Sequence, residues 1–190
     1  TVAFGLEPDM LTGGKGIGGG VPIGVVGMTD HIALVVSSNR DHDPGLVETG
    51  DAHGLAVGGT LYANALSMAA ARAGLDEIFT AEAARRVDTL GRLLQNGLQR
   101  EIDRVGLPWT IDRLGGRLQF RLTVHAPRNG AESFASVVLP LADARKVFLL
   151  NRGVWDAIAT AGPSVSYAID EADVDTYIQV AGDFLDALTQ

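Results

Sequence analysis

A glycine-rich segment near the start of the chain, residues 13–27, constrains the fold more than any other feature of the sequence. More than half of its residues are glycine, and Pro22 interrupts it. Glycine inside a helix carries a conformational-entropy cost, and proline removes a helical hydrogen bond, so a long helix is excluded here. Residues 1–30 therefore predict short strands joined by tight turns. The segment also holds Lys15, one of only two lysines in the chain of 190 residues.

The composition narrows the chemistry that is available. The chain has 23 acidic residues against 15 Lys and Arg, and its formal net charge of −8 gives no electrostatic drive toward nucleic acid or anionic membranes. It has no cysteine, which excludes disulfides, cysteine-bound metals and thiol catalysis. Its apolar runs are too short to cross a bilayer, and its first residues lack the basic start of a signal peptide. We therefore expect a cytoplasmic protein.

The surroundings of Lys15 admit three functional interpretations. A phosphate-binding Walker A loop needs a glycine where Asp9 stands and Ser or Thr where Gly16 stands, so it is disfavoured. A dinucleotide-binding glycine pattern must open a helix, which the following glycines and proline forbid. The third interpretation is a Schiff-base lysine, because apolar surroundings activate an amine and small neighbours let a flat cofactor approach the backbone. On composition alone, a lysine that contacts only water stays open as the alternative.

The hydrophobic pattern of the remaining chain predicts mostly helices. Apolar residues recur at every third or fourth position in several stretches, which is the period of a helix with one buried face. One stretch alternates apolar and polar side chains, as a half-buried strand does. The predicted elements are a strand or short helix over 31–37, a long loop over 38–59, a helix over 61–79, a helix capped by Thr80 that runs to about residue 104, a strand over 117–124, a helix in the second half of 132–151, and a last helix capped by Asp170.

Two ordered motifs resemble one enzyme family. Residues 8–24, which read PDMLTGGKGIGGGVPIG, look like the cofactor-lysine signature of class III aminotransferases. These are pyridoxal-phosphate enzymes of fold type I, and they include glutamate-1-semialdehyde aminomutase. Residues 58–70, which read GGTLYANALSMAA, resemble the family's Gly-Thr-…-Gly-Asn-Pro-Leu-Ala-Met-Ala-Ala, with Ala63 and Ala65 replacing the usual glycine and proline. The segments 151–154 and 170–175 resemble its C-terminal strand and closing helix more weakly.

The resemblance runs over the whole chain and implies an α/β fold, that of PLP-dependent transferases of fold type I. Residues 1–79 would form the C-terminal part of the PLP-binding large domain, with the cofactor-lysine loop and the dimer-interface loop and helix. Residues 80–190 would form the small C-terminal α+β domain. Because chains of the family are much longer, we expect a fragment that needs its missing N-terminal half and leaves strand edges bare without it.

The same resemblance implies the residues of the site. Lys15 would form the Schiff base with pyridoxal 5'-phosphate and then act as base and acid at the substrate carbon. Thr60 would contact the cofactor phosphate of a neighbouring subunit, so a homodimer is expected, and its hydroxyl and backbone N–H are suitable donors. Gly59 would also belong to the cofactor-binding residues. Thr60 could also cap the helix that follows, because anions favour helix N-termini.

Other polar and aromatic residues carry less specific predictions. Arg117 and Arg121 project from one face of the predicted strand, where they could bind a substrate carboxylate or simply line a solvated sheet face. Trp155 and Tyr167 are expected in the core, and Lys146 is expected to be exposed. No metal site is predicted at the histidines and aspartates of the long loop, whose spacing fits no standard motif: His42, Asp43, Asp51 and His53.

We therefore expect a PLP-dependent aminotransferase or aminomutase that moves an amino group between an amino acid or amine and a keto acid or aldehyde. Two alternatives stay open. A decarboxylase or racemase could use the same lysine, because the reaction depends on which substrate bond stands perpendicular to the cofactor ring. A non-catalytic half-chain could instead act as a dimerisation or regulatory partner, although the retention of Lys15, Thr60 and the glycines favours an enzyme.

Overall fold

The computed structural model describes residues 5–38, 59–157 and 159–190. The chain divides into two compact units, Thr1–Thr80 and Ala81–Gln190. Their assignment to a large and a small transferase domain stays a prediction, and most of the loop predicted over 38–59 lies outside the described residues. Within the described ranges, no helix combines the length and the apolar content needed to cross a bilayer.

A glycine-rich hairpin forms the start of the first unit. Strands β1 (Met10–Gly14) and β2 (Gly24–Met28) pair antiparallel. Between them, Lys15–Gly18 forms a single 3-10 turn that ends at Gly19, whose φ of 58° is left-handed. Glycine holds this conformation at no steric cost, which is why the chain can turn so tightly here. The prediction of short strands and tight turns is confirmed.

Two helices follow the hairpin in the first unit. Helix α1 (Asp30–Ser38) forms where the sequence left a strand or a helix open. Helix α2 (Ala65–Ala73) continues into a π-helical turn over Gly74–Ile78. Asn64 caps α2, because its side-chain oxygen accepts a hydrogen bond from the backbone N–H of Ser67 at 3.0 Å. This cap fixes the start of α2 four residues later than the sequence predicts, so the prediction of a continuous helix from residue 61 is wrong.

The second unit packs a β-hairpin against long helices. Strands β3 (Thr110–Leu114) and β4 (Arg117–Arg121) pair antiparallel, with Ile111 opposite Phe120 and both side chains buried. The last helix begins with a capping box in which Asp170 and Asp173 each accept a hydrogen bond from the other's backbone N–H, as the sequence predicts for Asp170. The elements are α3 (Ala81–Arg104), β3 (Thr110–Leu114), β4 (Arg117–Arg121), α4 (Gly130–Ala135), α5 (Leu139–Leu150), a 3-10 turn (Ala159–Ala161) and α6 (Glu171–Thr189).

The core of the second unit lies between α3, α6 and the β3–β4 hairpin. Leu98 and Ile102 of α3 are 0% exposed, and Leu185 of α6 is 1% exposed. Burying such a side chain contributes about 1.5–3 kcal/mol to folding. The two helices approach closely at Gly97, where an added Cβ would overlap the side chain of Ile178. A glycine inside α3 is therefore explained by packing and not by a break in the helix.

Two aromatic predictions fail in the second unit. Trp155 is 73% exposed and Tyr167 is 52% exposed, so neither belongs to the core. In the irregular segment after α5, Asp156 occupies the buried position next to Trp155, which places the indole outside. Lys146, which the sequence predicts to be exposed, is half-buried, and its ammonium group donates to the Ala157 carbonyl oxygen at 3.2 Å.

Candidate functional site

Lys15 lies at the tip of the β1–β2 hairpin. It is exposed and opens the 3-10 turn with a φ of 52°, in the left-handed region that side chains rarely adopt. Backbone hydrogen bonds of 3.0 Å from Gly19 to Gly16 and from Val21 to Gly18 hold the turn. The apolar enclosure that the sequence predicts around the amine is therefore not supplied by the neighbours of Lys15 in the described chain.

The glycines beside Lys15 allow the backbone to fold back on itself. A Cβ on Gly14 would stand 2.9 Å from the Ile23 carbonyl oxygen, and one on Gly18 would stand 3.0 Å from the Ile23 side chain. A side chain at Gly14 would require the backbone of the turn to shift, and one at Gly18 would require the Ile23 side chain to give way slightly. The glycine pattern thus serves a tight hairpin connection, and the segment does not open an α-helix as a dinucleotide-binding loop would.

Gly59 and Thr60 lie in a second exposed turn, just before α2. The backbone N–H of Tyr62 donates to the Gly59 carbonyl oxygen at 2.9 Å and closes the turn. Ala63, its last residue, has a φ of 51°. Thr60 is exposed, and its hydroxyl and backbone N–H are two groups that can donate to a ligand. It does not cap α2, because Asn64 fills that role.

Helix α2 contacts both the Lys15 turn and the Thr60 turn. The Ser67 hydroxyl, in the first turn of α2, donates to the Pro22 carbonyl oxygen at 2.7 Å. At the other end of the helix, a Cβ on Gly74 would stand 2.8 Å from the Ile17 carbonyl oxygen. The first unit therefore attaches the lysine turn to the helix that follows the threonine turn.

The two arginines of β4 have different surroundings. Arg121 is held in the structure, because its guanidinium donates to the Asp112 carboxylate and to the Ser133 hydroxyl, each at 2.7 Å. Its side chain is only 15% exposed. Arg117 is exposed and forms no ion pair among the described residues. The two guanidinium groups are therefore not both available to bind one carboxylate.

A groove of about 420 Å³ adjoins Arg117 in the second unit. Its lining includes the exposed Trp155 and the backbone around Ser164, which pairs with Arg117 in an isolated β-bridge. An arginine and an indole at one groove offer a cation and a flat apolar surface to a small molecule. The sequence suggests the arginine but assigns Trp155 to the core.

A buried polar cluster, which the sequence does not predict, lies beside this groove. Arg145 and Asp156 form an ion pair at 3.2 Å with side chains 8% and 4% exposed. The Tyr177 hydroxyl donates to the same carboxylate at 2.9 Å. Burial raises the pKa of Tyr177 well above its usual value, and the Asp156 charge adds to the effect. The phenol therefore stays protonated, and the cluster joins α5 and α6 to the segment that carries Trp155.

The residues weighed for a metal cannot be placed. His42, Asp43, Asp51 and His53 lie outside the described residues. Elsewhere, within residues 5–38, 59–157 and 159–190, no three His, Asp or Glu side chains are grouped as metal ligands.

Comparison with known proteins relates this chain to one enzyme family. Residues 1–161 match the family model described as "Aminotransferase class-III". A glutamate-1-semialdehyde 2,1-aminomutase 2 of Brevibacillus brevis is 28% identical over 179 residues, which cover 94% of this chain and 38% of that protein. An uncharacterized aminotransferase of Schizosaccharomyces pombe is 29% identical over 175 residues, covering 90% of this chain and 36% of that protein.

Solved structures give the same relationship at the level of the fold. A glutamate-1-semialdehyde aminomutase from Pseudomonas aeruginosa in complex with PMP has a TM-score of 0.86 at 31% identity, covering 98% of this chain and 41% of that chain. A β-phenylalanine aminotransferase from Variovorax paradoxus has a TM-score of 0.80 at 26% identity, covering 98% and 40%. This confirms the predicted α/β fold of PLP-dependent transferases.

The chain spans about two fifths of the length of the relatives it matches, with coverage of 38%, 41% and 40% in three of them. The family model nevertheless covers most of the chain, including both the Lys15 turn and the Thr60 turn. Sequence match and fold point to the same group of enzymes. The chain belongs to the class III aminotransferase family.

Proposed function

We propose that this chain is the C-terminal portion of a PLP-dependent aminotransferase or aminomutase in which Lys15 binds the cofactor covalently. The observation that carries the proposal is the placement of Lys15. It lies exposed at the tip of a glycine hairpin, inside the motif that resembles the cofactor-lysine signature of the family to which the chain belongs. When bound, pyridoxal 5'-phosphate supplies an aldehyde that condenses with amines and a ring that withdraws electrons.

The described residues fit this cofactor in the chemistry of their donors. Lys15 offers an accessible primary amine, and Thr60 offers an accessible hydroxyl and backbone N–H for a phosphate oxygen. Among the described residues Gly59 leaves open space, because none of their atoms, apart from its chain neighbours, lies within 4 Å of the position its Cβ would take. A flat ligand and its phosphate can therefore reach the backbone at both turns.

Lys15 has a second role in this proposal, as the group that moves a proton. Its amine, once released, takes a proton from the substrate carbon and returns it to the adjacent carbon of the cofactor. Proton transfer by a positioned side chain contributes about 10²–10⁴-fold to the rate. The exposed position of Lys15 in the described chain implies that other parts of a longer protein exclude water from the amine.

The proposal includes a homodimer. Thr60 and Gly59 would contact the cofactor phosphate of the neighbouring subunit, which requires their turn to lie at the surface of the first unit. Both residues are exposed, which supports this placement. Size determination of the full-length protein, with and without cofactor, checks the dimer, and cell fractionation checks the predicted cytoplasmic location.

Arg117 is the better candidate of the two arginines for a substrate carboxylate. Arg121 already donates to Asp112 and Ser133, whereas Arg117 is exposed beside the groove that Trp155 lines. We expect Arg117→Gln to raise KM for a carboxylate substrate by about tenfold or more, because a charged hydrogen bond is lost. An unchanged KM would remove Arg117 from the site.

The proposal also includes an upstream half of the protein. In the first unit, the hairpin exposes 58% of Leu11 and 56% of Val26, and an apolar surface of this kind is suited to packing against more protein. The relatives extend well beyond the matched region. Functional tests therefore belong to the full-length protein.

Paired lysine variants of the full-length protein test the proposed function. Lys15→Arg keeps the charge but removes the primary amine, so the covalent adduct should disappear and the rate should fall at least about 10²-fold. Lys146→Arg is the matched control, because Lys146 is the only other lysine of these 190 residues. It should retain cofactor and activity. Undiminished turnover in Lys15→Arg would contradict the proposal, and a parent protein that binds no cofactor would favour the non-catalytic alternative.

A further inference from the structure

Ser67 is a buried hydroxyl that links two distant parts of the first unit. Its side chain lies in the first turn of α2, and the residue is 6% exposed. The hydroxyl donates to the Pro22 carbonyl oxygen at 2.7 Å, across 45 positions of sequence, and accepts from the Asn64 side-chain amide at 2.9 Å. Pro22 lies between the Lys15 turn and β2. This hydroxyl therefore acts both as a donor and as an acceptor in one link.

Asn64 extends the link into the Thr60 turn. The same side-chain amide donates to the Leu61 carbonyl oxygen at 3.0 Å, while the side-chain oxygen accepts from the Ser67 backbone N–H at 3.0 Å. Leu61 belongs to the turn that holds Gly59 and Thr60. A continuous series of hydrogen bonds thus runs from the Pro22 carbonyl, through Ser67 and Asn64, to the threonine turn.

Each of the two turns joined by this link contains one residue in a strained backbone conformation. Among the described residues, Lys15 and Ala63 are the two that have a positive φ without being glycine, at 52° and 51°. Such conformations persist only where surrounding contacts hold them. Ala63 is bonded directly to Asn64, and the Lys15 turn leads to Pro22. The link therefore lies where a support for both conformations would be needed.

We propose that Asn64 and Ser67 form a positioning pair that fixes the Lys15 turn relative to the Thr60 turn. The inference rests on the proposed function, in which these turns hold the covalent and the phosphate ends of cofactor binding. Ser67 and Asn64 touch neither cofactor nor substrate in this role and act through the two backbones. Loss of one such hydrogen bond changes an equilibrium by about two- to tenfold, and small misplacement of a reacting group can reduce a rate further.

The experiment compares Ser67→Ala, which removes the link, with Ser67→Thr, which keeps a hydroxyl, in the full-length protein. Thr189→Ala is the control, because among the described residues the Thr189 hydroxyl bonds only within α6, to the Leu185 carbonyl oxygen at 3.0 Å and the Asp186 carbonyl oxygen at 3.3 Å. Hydrogen exchange without cofactor measures the opening of residues 15–24 and 59–63. A pH titration of the cofactor absorbance measures the environment of the amine that holds it.

In Ser67→Ala we expect the amides of both turns to exchange about two- to tenfold faster, together with a displaced midpoint of the absorbance titration. Ser67→Thr should restore both readouts, and Thr189→Ala should leave both unchanged. Faster exchange confined to α2, or an unchanged titration midpoint, would overturn the positioning role. A parent protein with no cofactor absorbance would overturn the proposed function. The exchange measurement without cofactor would then decide the positioning role by itself, and unchanged exchange of the two turns in Ser67→Ala would overturn it.

Discussion

At the scale of single residues, the backbone of Lys15 is informative about its role. A φ of 52° costs a residue with a side chain about 1–2 kcal/mol relative to glycine. The same turn uses glycine at two further left-handed positions, Gly19 with φ 58° and Gly20 with φ 104°. A lysine in a position that glycine would occupy at no steric cost indicates that its side chain, and not its backbone, is the reason for its presence.

A pair of substitutions at Lys15 measures this strain. Lys15→Gly should unfold with a free energy about 0.5–1 kcal/mol higher than Lys15→Ala, because the relief of steric strain exceeds the added entropy of the unfolded chain. The measurement is urea unfolding of the full-length protein. Lys146, inside helix α5, is the control: there, glycine should be about 1 kcal/mol less stable than alanine. If the difference in unfolding free energy between the glycine and alanine variants had the same sign at both lysines, it would contradict a strained Lys15.

Individual site residues differ in how far the sequence could predict them. The sequence identifies Lys15 as a candidate because it is a rare lysine in a distinctive glycine pattern, and its role stays a prediction. The sequence does not predict the difference between Arg117 and Arg121, because both project from the same face of β4. The partners of Arg121, which are Asp112 and Ser133, come from other elements. Ser67 likewise became visible only with the fold, since its partner lies 45 residues away.

At the scale of elements, an ion pair joins the two longest helices of the second unit. Arg104 near the end of α3 donates to both carboxylate oxygens of Asp186 on α6, at 2.8 and 2.9 Å, and to Glu101 at 2.7 Å. The hydrogen bonds from Arg104 lower the pKa of Asp186 below its usual value, and the Coulomb attraction adds to them. Bidentate geometry of this kind favours the ionised carboxylate.

The lowered pKa of Asp186 predicts a pH dependence of stability. The unfolded state binds the proton more readily, so the contribution of Asp186 is fully present above its unfolded pKa, near 3.8, and is lost as the pH falls through the folded value. In Asp186→Asn, the fall in unfolding free energy between about pH 5 and pH 2 should become shallower. Asp183→Asn, an exposed change on the same helix, should leave the slope as it is. Equal slopes in all three proteins would contradict the assignment.

The predicted elements succeed where caps and periodicity agree. The sequences of helices α3 and α6 have both signals, and the bounds of these helices in the structure lie within a residue or two of the prediction. The sequence does not predict strand β3, because Thr110–Leu114 does not alternate clearly; the strand forms because it pairs with β4. The two adjacent glycines at 115 and 116 were a hairpin signal that could have located it. The start of α2 was misplaced because the apolar residues before Asn64 continue the helical pattern, whereas the cap ends it.

At the scale of the whole molecule, the two units bury their apolar side chains very differently. The second unit has a core of large residues such as Leu98, Leu149 and Leu185, each at most 1% exposed. In the described part of the first unit, Ala71 is the one buried hydrophobic residue. Since burial of large apolar side chains is the main favourable term in folding, we expect the proposed upstream half to cover the apolar surface of the first unit. This agrees with a chain that spans about two fifths of its relatives.

The covalent role of Lys15 is tested most directly by borohydride reduction of the full-length native protein, followed by peptide mass spectrometry. Reduction converts a bond between the cofactor and an amine into a stable adduct. We expect the pyridoxyl-phosphate mass on the peptide that contains Lys15 and none on the peptide that contains Lys146. An adduct on another lysine, or a folded full-length protein with no adduct, would contradict the proposed role of Lys15.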